Sequence, residues 1–426
     1  PLMLARKTSP VLRWTNPYAS TKKADWVPLP APGGPNSTTF SIMNRKPQIY
    51  GMELVFRIFT PANNIPMEHV YAVIMAGGVG TRFWPASTEK NPKQFLDILG
   101  TGETLIQQTF RRMKAVCPSD RIYVVTHEHY AALTLEQLPE LTPDQLLLEP
   151  ARRNTAPCIA YAAFKLKKRD PLANIVVTPS DHLVANETEF LRVLTEGLRT
   201  TREHNILLTL GIKPHRPETG YGYIQYKEDE DSLHSEVKRV KSFTEKPDRA
   251  MAESFLASGE FLWNSGVFLW NANAILSAFE KLQPEIYGLF HNGWDTFNTD
   301  REKPFIEEVY PSCSNESVDY GILEKAMNVH VLPASFGWSD LGSWGAVHDQ
   351  QEPDTQGNTG VHSNVLVYHS NNNTFALPEH MAAVVDGLED MVVVVNENRL
   401  LICRRSQEQE IKKFVSEVKF KLGNQF

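Results

Sequence analysis

Apolar residues from Val70 onward alternate between short continuous runs and segments with helical spacing. Val70–Met75 is a continuous apolar run that stops at glycines, which is typical of a strand buried on both faces of a parallel sheet. Residues 105–113 carry apolar side chains at intervals of three and four, which predicts an amphipathic helix. The alternation continues with strands predicted over 121–126, 146–148, 174–178 and 206–210, helices over 129–138, 155–168 and 188–203, and a β-rich stretch over 222–244.

This order of elements predicts the fold class. Strands that alternate with helices favour an α/β sandwich around a Rossmann-like, mostly parallel sheet, with ligand loops after the strands. From about residue 350 the chain becomes polar and Asn-rich, with short strands predicted over 364–369, 383–385, 391–396 and 400–404 and a helix over 407–420. We therefore predict a larger domain over 67–350 and a small β-rich domain over 351–426.

Charge and composition exclude several kinds of partner. The net charge of −7 provides no basic surface for nucleic acid or for an anionic membrane, and no apolar run is long enough to cross a bilayer. The cysteines show neither a C-x-x-C pair nor the spacing of metal ligands, which favours a reducing, cytoplasmic location. The four cysteines are Cys117, Cys158, Cys313 and Cys403.

Residues 1–66 differ from the rest of the chain. They contain 10 of the 28 prolines and carry eight Lys and Arg residues against two Asp and Glu residues. Such a segment cannot bury enough apolar surface to offset the entropy of ordering it. We predict a disordered or non-native extension, with a cleaved targeting peptide as the alternative.

Glycines follow the first predicted strand and indicate an anion-binding turn. Glycine permits positive φ angles and close approach of the backbone, so that successive N–H groups can face a phosphate. The sequence then adds the hydroxyl of Thr81, the guanidinium of Arg82, which can bind a phosphate through two N–H groups, and the ammonium of Lys93. This set of groups suits a triphosphate. The alternative is a tight turn without a ligand. The residues are Gly77, Gly78, Gly80, Thr81, Arg82 and Lys93.

The string Gly-Gly-x-Gly-Thr-Arg, followed by Pro-Lys-Gln-Phe at 92–95, is neither a Walker loop nor a dinucleotide fingerprint. It resembles the signature of sugar-nucleotide pyrophosphorylases, and Pro-Lys-Gln-Phe is similar to that of mannose-1-phosphate guanylyltransferases. The resemblance implies a fold of the nucleotide-diphospho-sugar transferase type. It also implies a short β-helix-like C-terminal unit used in subunit association, and hence a possible homodimer.

Two carboxylates are candidates for binding Mg²⁺. Asp181 follows the strand predicted over 174–178, where a carboxylate beside a triphosphate loop can hold Mg²⁺ through one or two contacts. Asp181 could instead cap the next segment. The resemblance places a second metal ligand at Asp340, within Trp-Ser-Asp-Leu-Gly, and assigns Ser180 to the nucleotide.

Further candidates for substrate binding follow from the same resemblance. Asn154 and Thr155 precede a helix, where they could cap it and also read a base edge, and in similar guanylyltransferases this segment lies against guanine. Four residues match the sugar-phosphate side of the family pocket: Gly220, Glu245, Lys246 and Asn264.

The activity implied by the resemblance is the transfer of GMP from GTP to α-D-mannose 1-phosphate, which gives GDP-mannose and pyrophosphate. Arg82 and Lys93 would neutralise the phosphates, and Mg²⁺ would bridge the two substrates at Asp181 and Asp340. Two alternatives stay open. One is a uridylyl- or thymidylyltransferase acting on another hexose 1-phosphate, and the other is a catalytically silent sugar-nucleotide sensor.

Overall fold

The first strand predicted from the sequence lies inside a nine-stranded sheet. The computed structural model describes residues 67–227 and 236–423, so the predicted extension over 1–66 lies outside the described residues. β1 (Val70–Ala76) pairs in parallel with β2 (Ile122–His127) and with β4 (Asn174–Pro179), and β2 pairs in parallel with β3 (Leu146–Glu149). Ala72, Val73 and Ile74 are fully buried, as a strand covered on both faces requires.

Beyond β4 the sheet becomes mixed. The strand order is β3-β2-β1-β4-β9-β6-β10-β8-β7, and β9 runs antiparallel to both β4 and β6. These strands are β6 (Leu207–Ile212), β7 (Gly222–Tyr226), β8 (Lys238–Glu245), β9 (Phe261–Asn271) and β10 (Val329–Ala334). A separate two-stranded sheet pairs β5 (Leu183–Val184) with β11 (Trp338–Ser339).

Helices cover both faces of the large sheet, as the alternating sequence pattern predicts. One face packs against the helices Thr155–Arg169, Ala272–Leu282 and Pro284–His291, and the other packs against the helices Leu105–Lys114 and Glu187–Glu203. None of the helices in 67–227 and 236–423 is both long and apolar enough to span a bilayer. The helices that precede the C-terminal region are α1 (Leu105–Lys114), α2 (Ala131–Gln137), α3 (Thr155–Arg169), α4 (Glu187–Glu203), α5 (Arg249–Ser258), α6 (Ala272–Leu282), α7 (Pro284–His291) and α8 (Glu302–Val309).

The C-terminal region is a short β-coil. Parallel pairing places Val365 opposite Ala383 and Thr374 opposite Val392, so that successive turns of the coil are 18 residues apart. Its elements are α9 (Trp344–His348), β12 (Val365–Tyr368), β13 (Thr374–Ala376), β14 (Ala383–Asp386), β15 (Met391–Asn396), β16 (Arg399–Arg404) and α10 (Ile411–Leu422). This parallel coiling fits the predicted β-helix-like unit.

Two buried asparagines hold adjacent turns of this coil together. Asn373 donates from Nδ2 to Asn358 Oδ1 at 2.9 Å and to the Leu388 carbonyl at 3.0 Å, and its Oδ1 accepts from the Met391 N–H at 2.9 Å. Asn358 donates from Nδ2 to the Ser370 carbonyl at 3.0 Å. Both side chains are almost fully buried, so these bonds satisfy amide groups that would otherwise lack partners.

The coil shares a hydrophobic core with the loop after β1. Phe83 and Trp84 from that loop pack with Leu341, with Val392 of β15 and with Ile411 of α10. This core joins residues from both sides of position 350. The predicted domain boundary at that position stays a prediction.

We expect Asn373→Ala to lower the free energy of unfolding by about 2 kcal/mol, because it leaves the Met391 N–H without its partner and removes one of the two bonds to the Leu388 carbonyl. Chemical denaturation followed by circular dichroism measures this change. Asn371→Ala, at an exposed position in the same turn, is the matched control and should stay within about 0.5 kcal/mol of the parent protein. Equal stability of the two variants would contradict the role given to Asn373.

Candidate active site

The loop after β1 needs a glycine at position 80. Gly80 has φ +71°, and a Cβ at this position would lie 2.4 Å from the Cβ of Lys93. Any side chain here would meet both the left-handed backbone and Lys93. The glycine therefore allows the loop and the Lys93 segment to lie against each other, as the paired motifs in the sequence suggested.

The Pro-Lys-Gln segment forms the second wall of this loop. The Lys93 N–H donates to the Val79 carbonyl at 3.2 Å, and buried Gln94 donates from Nε2 to the Ala76 carbonyl at 3.1 Å. Thr126 of β2 donates to the same carbonyl at 2.8 Å. These bonds fix the carboxyl end of β1, where a ligand of an open α/β sheet is expected.

Lys93 connects the two predicted metal ligands. Its Nζ lies 2.9 Å from Asp181 Oδ2 and 2.8 Å from the main-chain oxygen of Asp340, and the residue is only 3% exposed. Burial alone would raise the pKa of the Asp181 carboxyl, but the charge of Lys93 and the bond from Lys93 lower it below its usual value. Asp181 is therefore held ionised.

Asp340 is positioned by groups from its own turn and from a distant loop. Its Oδ1 accepts from the Tyr221 hydroxyl at 2.7 Å and from the Gly342 N–H at 2.8 Å. Burial and the adjacent Asp340 charge raise the pKa of the Tyr221 hydroxyl, so it stays a donor. Tyr221 was not predicted from the sequence, although it directly follows Gly220, which was.

A single cavity of about 270 Å³ brings these predicted residues together. Arg82 contributes a buried Nε that has no hydrogen-bond partner in the described part of the chain. His182 also lines the cavity, and burial lowers its pKa, so the ring is neutral near pH 7 and its Nδ1 can accept from Trp338 at 3.2 Å. The lining residues are Gly80, Thr81, Arg82, Phe83, Lys93, Asp181, His182, Asp340, Gly342 and Lys412.

The carboxylate oxygens in this cavity fit a hard divalent cation. No group of three or more His, Cys, Asp or Glu side chains suited to a metal occurs within 67–227 and 236–423. Mg²⁺, however, is commonly held by one or two carboxylates together with substrate phosphates. Asp181 Oδ1 and Asp340 Oδ2 make no hydrogen bond to other described residues, so each carboxylate keeps an oxygen for a cation.

Five predicted nucleotide residues do not line this cavity: Gly77, Gly78, Asn154, Thr155 and Ser180. The last three make contacts elsewhere. Asn154 is exposed and caps α3 through the Thr155 N–H at 2.9 Å, while the Thr155 hydroxyl accepts from the Val318 N–H at 2.9 Å. Ser180 is 2% exposed, and its N–H donates to the Met75 carbonyl. The observed contact of Asn154 is therefore the helix cap that was the alternative to base binding. The roles of Asn154, Thr155 and Ser180 in nucleotide binding stay predictions.

The predicted sugar-phosphate residues form a second cluster. Lys246 Nζ lies 2.7 Å from Glu245 Oε1, and Lys246 has φ +49°, an uncommon backbone for a residue with a side chain. A Cβ on Gly222 would lie 2.4 Å from Glu245 Oε2, so this glycine makes room for the carboxylate. Gly220 lies in the adjoining loop, where its N–H donates to Glu218 Oε1 at 3.1 Å.

Asp319 belongs to this cluster and was missed from the sequence. Asn264 donates from Nδ2 to Asp319 Oδ1 at 2.9 Å and accepts at Oδ1 from Thr209 at 2.8 Å. Burial and the charge of Glu245 raise the pKa of the Asp319 carboxyl to about 7. Only the fold brings Asp319 to Asn264 across 55 positions, so no local pattern could have identified it.

A buried carboxyl also lies beside the glycine loop. Glu149, at the carboxyl end of β3, is 7% exposed and accepts a hydrogen bond from the Tyr310 hydroxyl. Its Oε2 lies 3.5 Å from where a Cβ on Gly77 would be. Burial raises the pKa of Glu149 to about 7, against the lowering effects of Tyr310 and Arg152.

A profile described as nucleotidyl transferase matches residues 71–357, from β1 to the beginning of the C-terminal coil. The chain belongs to this family. Xanthan biosynthesis protein XanB of Xanthomonas campestris pv. campestris is 38% identical over 358 residues, which are 83% of this chain and 74% of that protein. The mannose-1-phosphate guanylyltransferase of Escherichia coli (strain K12) is 36% identical over 362 residues, or 82% and 73% of the two chains.

A solved structure confirms the nucleotidyltransferase fold. The protein from Thermus thermophilus named mannose-1-phosphate geranyltransferase superposes with a TM-score of 0.73 at 27% identity, over 82% of this chain and 99% of that chain. These relatives confirm the resemblance to mannose-1-phosphate guanylyltransferases found in the sequence and the α/β core predicted from it. The strand-rich C-terminal region is confirmed as well.

The raised pKa of Glu149 predicts a pH-dependent stability. The unfolded carboxyl titrates near pH 4.3 and the folded one near pH 7. Its contribution to stability is therefore fully present below about pH 4.3 and is lost as pH rises through about 7. Glu149→Gln, which cannot ionise, should gain up to about 3 kcal/mol relative to the parent protein between pH 5 and pH 8.

Denaturation of both proteins at the two pH values, without nucleotide, measures this difference. Glu128→Gln, an exposed position near the same sheet edge, is the control and should follow the parent protein at both pH values. A Glu149→Gln protein that keeps the parent's pH dependence would show that the carboxyl is ionised throughout the range.

Proposed function

We propose that this protein transfers GMP from GTP to α-D-mannose 1-phosphate and releases pyrophosphate, in a reaction that depends on Mg²⁺. A phosphate oxygen of the sugar phosphate attacks the α-phosphorus of GTP in line. The bond from that phosphorus to the oxygen bridging to the β-phosphate breaks, and pyrophosphate leaves. The named activity of a relative at 36% identity supports the substrates, and the chemistry of the cavity supports the reaction.

The observation that carries this proposal is the contact of one buried ammonium with two acidic segments. Lys93 bonds to Asp181 and to the main chain of Asp340 inside the cavity that contains Arg82. A phosphoryl transfer needs cations around the phosphates and carboxylates that hold a metal. The attacking sugar phosphate is already an anion, so no strong general base is required.

Asp181 and Asp340 would hold Mg²⁺, which would supply Lewis-acid neutralisation of the phosphate charge. The protein's own groups neutralise charge and orient the substrates. Arg82 and Lys93 neutralise the charge that moves onto the leaving pyrophosphate, and the N–H groups of the glycine loop orient the triphosphate. Tyr221 keeps Asp340 in place through its hydroxyl.

Glu149 supports guanine as the base. Guanine carries two adjacent N–H donors on its Watson–Crick edge, and a carboxylate can accept from both. Glu149 lies against Gly77 at the carboxyl end of β3, next to the loop that would hold the nucleotide. Uracil and thymine lack that pair of donors, so Glu149 would favour GTP over UTP and dTTP.

The second cluster supports a sugar phosphate as the other substrate. Glu245, Asn264 and Asp319 offer acceptors and a donor for hydroxyls, and Lys246 provides a cation for the phosphate. The choice of mannose comes from the names of the relatives. The predicted homodimer, the cytoplasmic location and the absence of nucleic-acid and membrane partners stay predictions.

One assay separates the proposed activity from its alternatives. Purified protein is incubated with Mg²⁺, with each of GTP, ATP, UTP, CTP and dTTP, and with mannose 1-phosphate or glucose 1-phosphate, while pyrophosphate release is measured. We expect the highest kcat/KM for GTP with mannose 1-phosphate. A higher value for UTP or dTTP would indicate another nucleotidyltransferase, and no release with any pair would indicate a sensor.

We expect Lys93→Met to lower kcat by on the order of a hundredfold or more, because a buried cation that faces developing phosphate charge contributes strongly to the transition state. Steady-state pyrophosphate release measures the effect, and circular dichroism verifies the fold. Lys90→Met changes an exposed lysine in the same segment and should leave kcat within about twofold. Equal kcat in the two variants would remove Lys93 from the mechanism.

Asp181→Asn and Asp340→Asn should each raise the Mg²⁺ concentration for half-maximal activity by about tenfold or more, since a neutral amide is a poorer ligand for a hard cation. Magnesium titrations of the steady-state rate measure the shift, and excess chelator should abolish activity in the parent protein. Asp349→Asn, at an exposed position outside the cavity, serves as the control. Titrations that match the parent protein for both variants would exclude the two-carboxylate site.

A further inference from the structure

The helix at the end of the β-coil packs directly on the glycine loop. Ile411, in the first turn of α10, is fully buried against Phe83 and Leu341. Phe83 follows Arg82 in the chain, and Leu341 follows Asp340. The first turn of α10 therefore sits over the two segments that supply the phosphate-binding arginine and a metal ligand.

Contacts before and after this first turn fix the helix. Glu408, in the 3₁₀ turn that precedes α10, accepts from the Gly345 N–H at 2.7 Å, and Lys419 in the last turn lies 2.5 Å from Glu89 Oε1. Asn396 adds a bond from Nδ2 to the Pro85 carbonyl at 2.9 Å, which ties the β15–β16 turn to the glycine loop. The β-coil and α10 are thus anchored around the cavity.

Lys412 follows Ile411 and lines this cavity together with Arg82, Lys93, Asp181 and Asp340. The profile match ends at residue 357, so it does not include Lys412. It was not predicted from the sequence, where a lysine in an amphipathic helix is typical of a solvated face.

Lys412 is exposed, as Lys413 is, but the charges that act on it are those of cations. The charge of Arg82 lowers the pKa of Lys412 most, followed by burial and by the charge of Lys246. Within 67–227 and 236–423, neither Lys412 nor Arg82 has an ion-pair partner. Cations that face one another in this way are stabilised when an anion lies between them.

We propose that Lys412 is a catalytic residue whose ammonium binds the triphosphate of the nucleotide and the pyrophosphate that leaves. It lines the cavity with Arg82, Lys93 and the two predicted metal ligands, so it lies where negative charge shifts during the transfer. This assignment rests on the proposed function. It makes the C-terminal region part of the active site, in addition to any role in subunit association.

Kinetics of matched variants test the assignment. Lys412→Met keeps the length and the apolar stem of the side chain but removes its charge, and should lower kcat/KM for GTP by about tenfold or more. Lys412→Arg, which restores the charge, should recover most of that loss. Lys413→Met alters an exposed lysine one position further along α10 and should leave kcat/KM within about twofold.

Binding of inorganic pyrophosphate gives a readout that depends neither on the base nor on the sugar. Pyrophosphate without nucleotide should raise the melting temperature of the parent protein and of Lys413→Met, and should raise that of Lys412→Met by less than half as much. If the parent protein proves inactive with GTP and mannose 1-phosphate, the proposed function fails, and this comparison still tests the anion site.

Either of two results would overturn the assignment. The first is a kcat/KM of Lys412→Met within twofold of that of Lys413→Met. The second is equal stabilisation of both variants by pyrophosphate. Either would show that Lys412 is an ordinary surface lysine beside the cavity.

Discussion

Lys93 places an ammonium group that is almost fully removed from solvent between the side chain of Asp181 and the main chain of Asp340. Removing this charge from water is costly, and the cost is offset only if its partners stay in place. The three residues come from segments that lie far apart in the sequence. Movement of the Lys93 segment, of the end of β4 or of the Asp340 turn would break one of these bonds. The Lys93 N–H also bonds to Val79 in the glycine loop, so the phosphate-binding and metal-binding halves of the site are fixed together.

Two features of the backbone make this interaction possible. Gly80 adopts a left-handed conformation that leaves space for the Lys93 side chain, and Val79 accepts from the Lys93 N–H. The ammonium also lies 5.4 Å from the centre of the Phe83 ring, an attractive arrangement for a cation. Phe83 in turn packs on Trp344 and on the C-terminal coil. Packing in the coil is thereby connected to the position of the central cation.

The sequence predicted the parallel half of the sheet to within one or two residues, because strands buried on both faces are continuous apolar runs. It did not predict β9, an eleven-residue antiparallel strand whose burial pattern alternates only weakly. The glycine loop, Lys93 and the two aspartates were found from motifs. Tyr221, Asp319 and Lys412 were not, because each acts on a partner more than fifty positions away that only the tertiary structure brings near.

Composition is also the basis on which the sequence predicts a separate C-terminal domain. Its short polar strands and asparagines differ from the α/β region in composition, and composition is all that a single sequence offers for placing a boundary. Packing, in contrast, joins the coil to the α/β region. Ile411 and Val392 complete a core that begins with Phe83 and Trp84, in the loop that would hold the nucleotide. A phosphate-binding loop needs a rigid support to hold its N–H groups in place, and here that support comes from both the β1 strand and the coil.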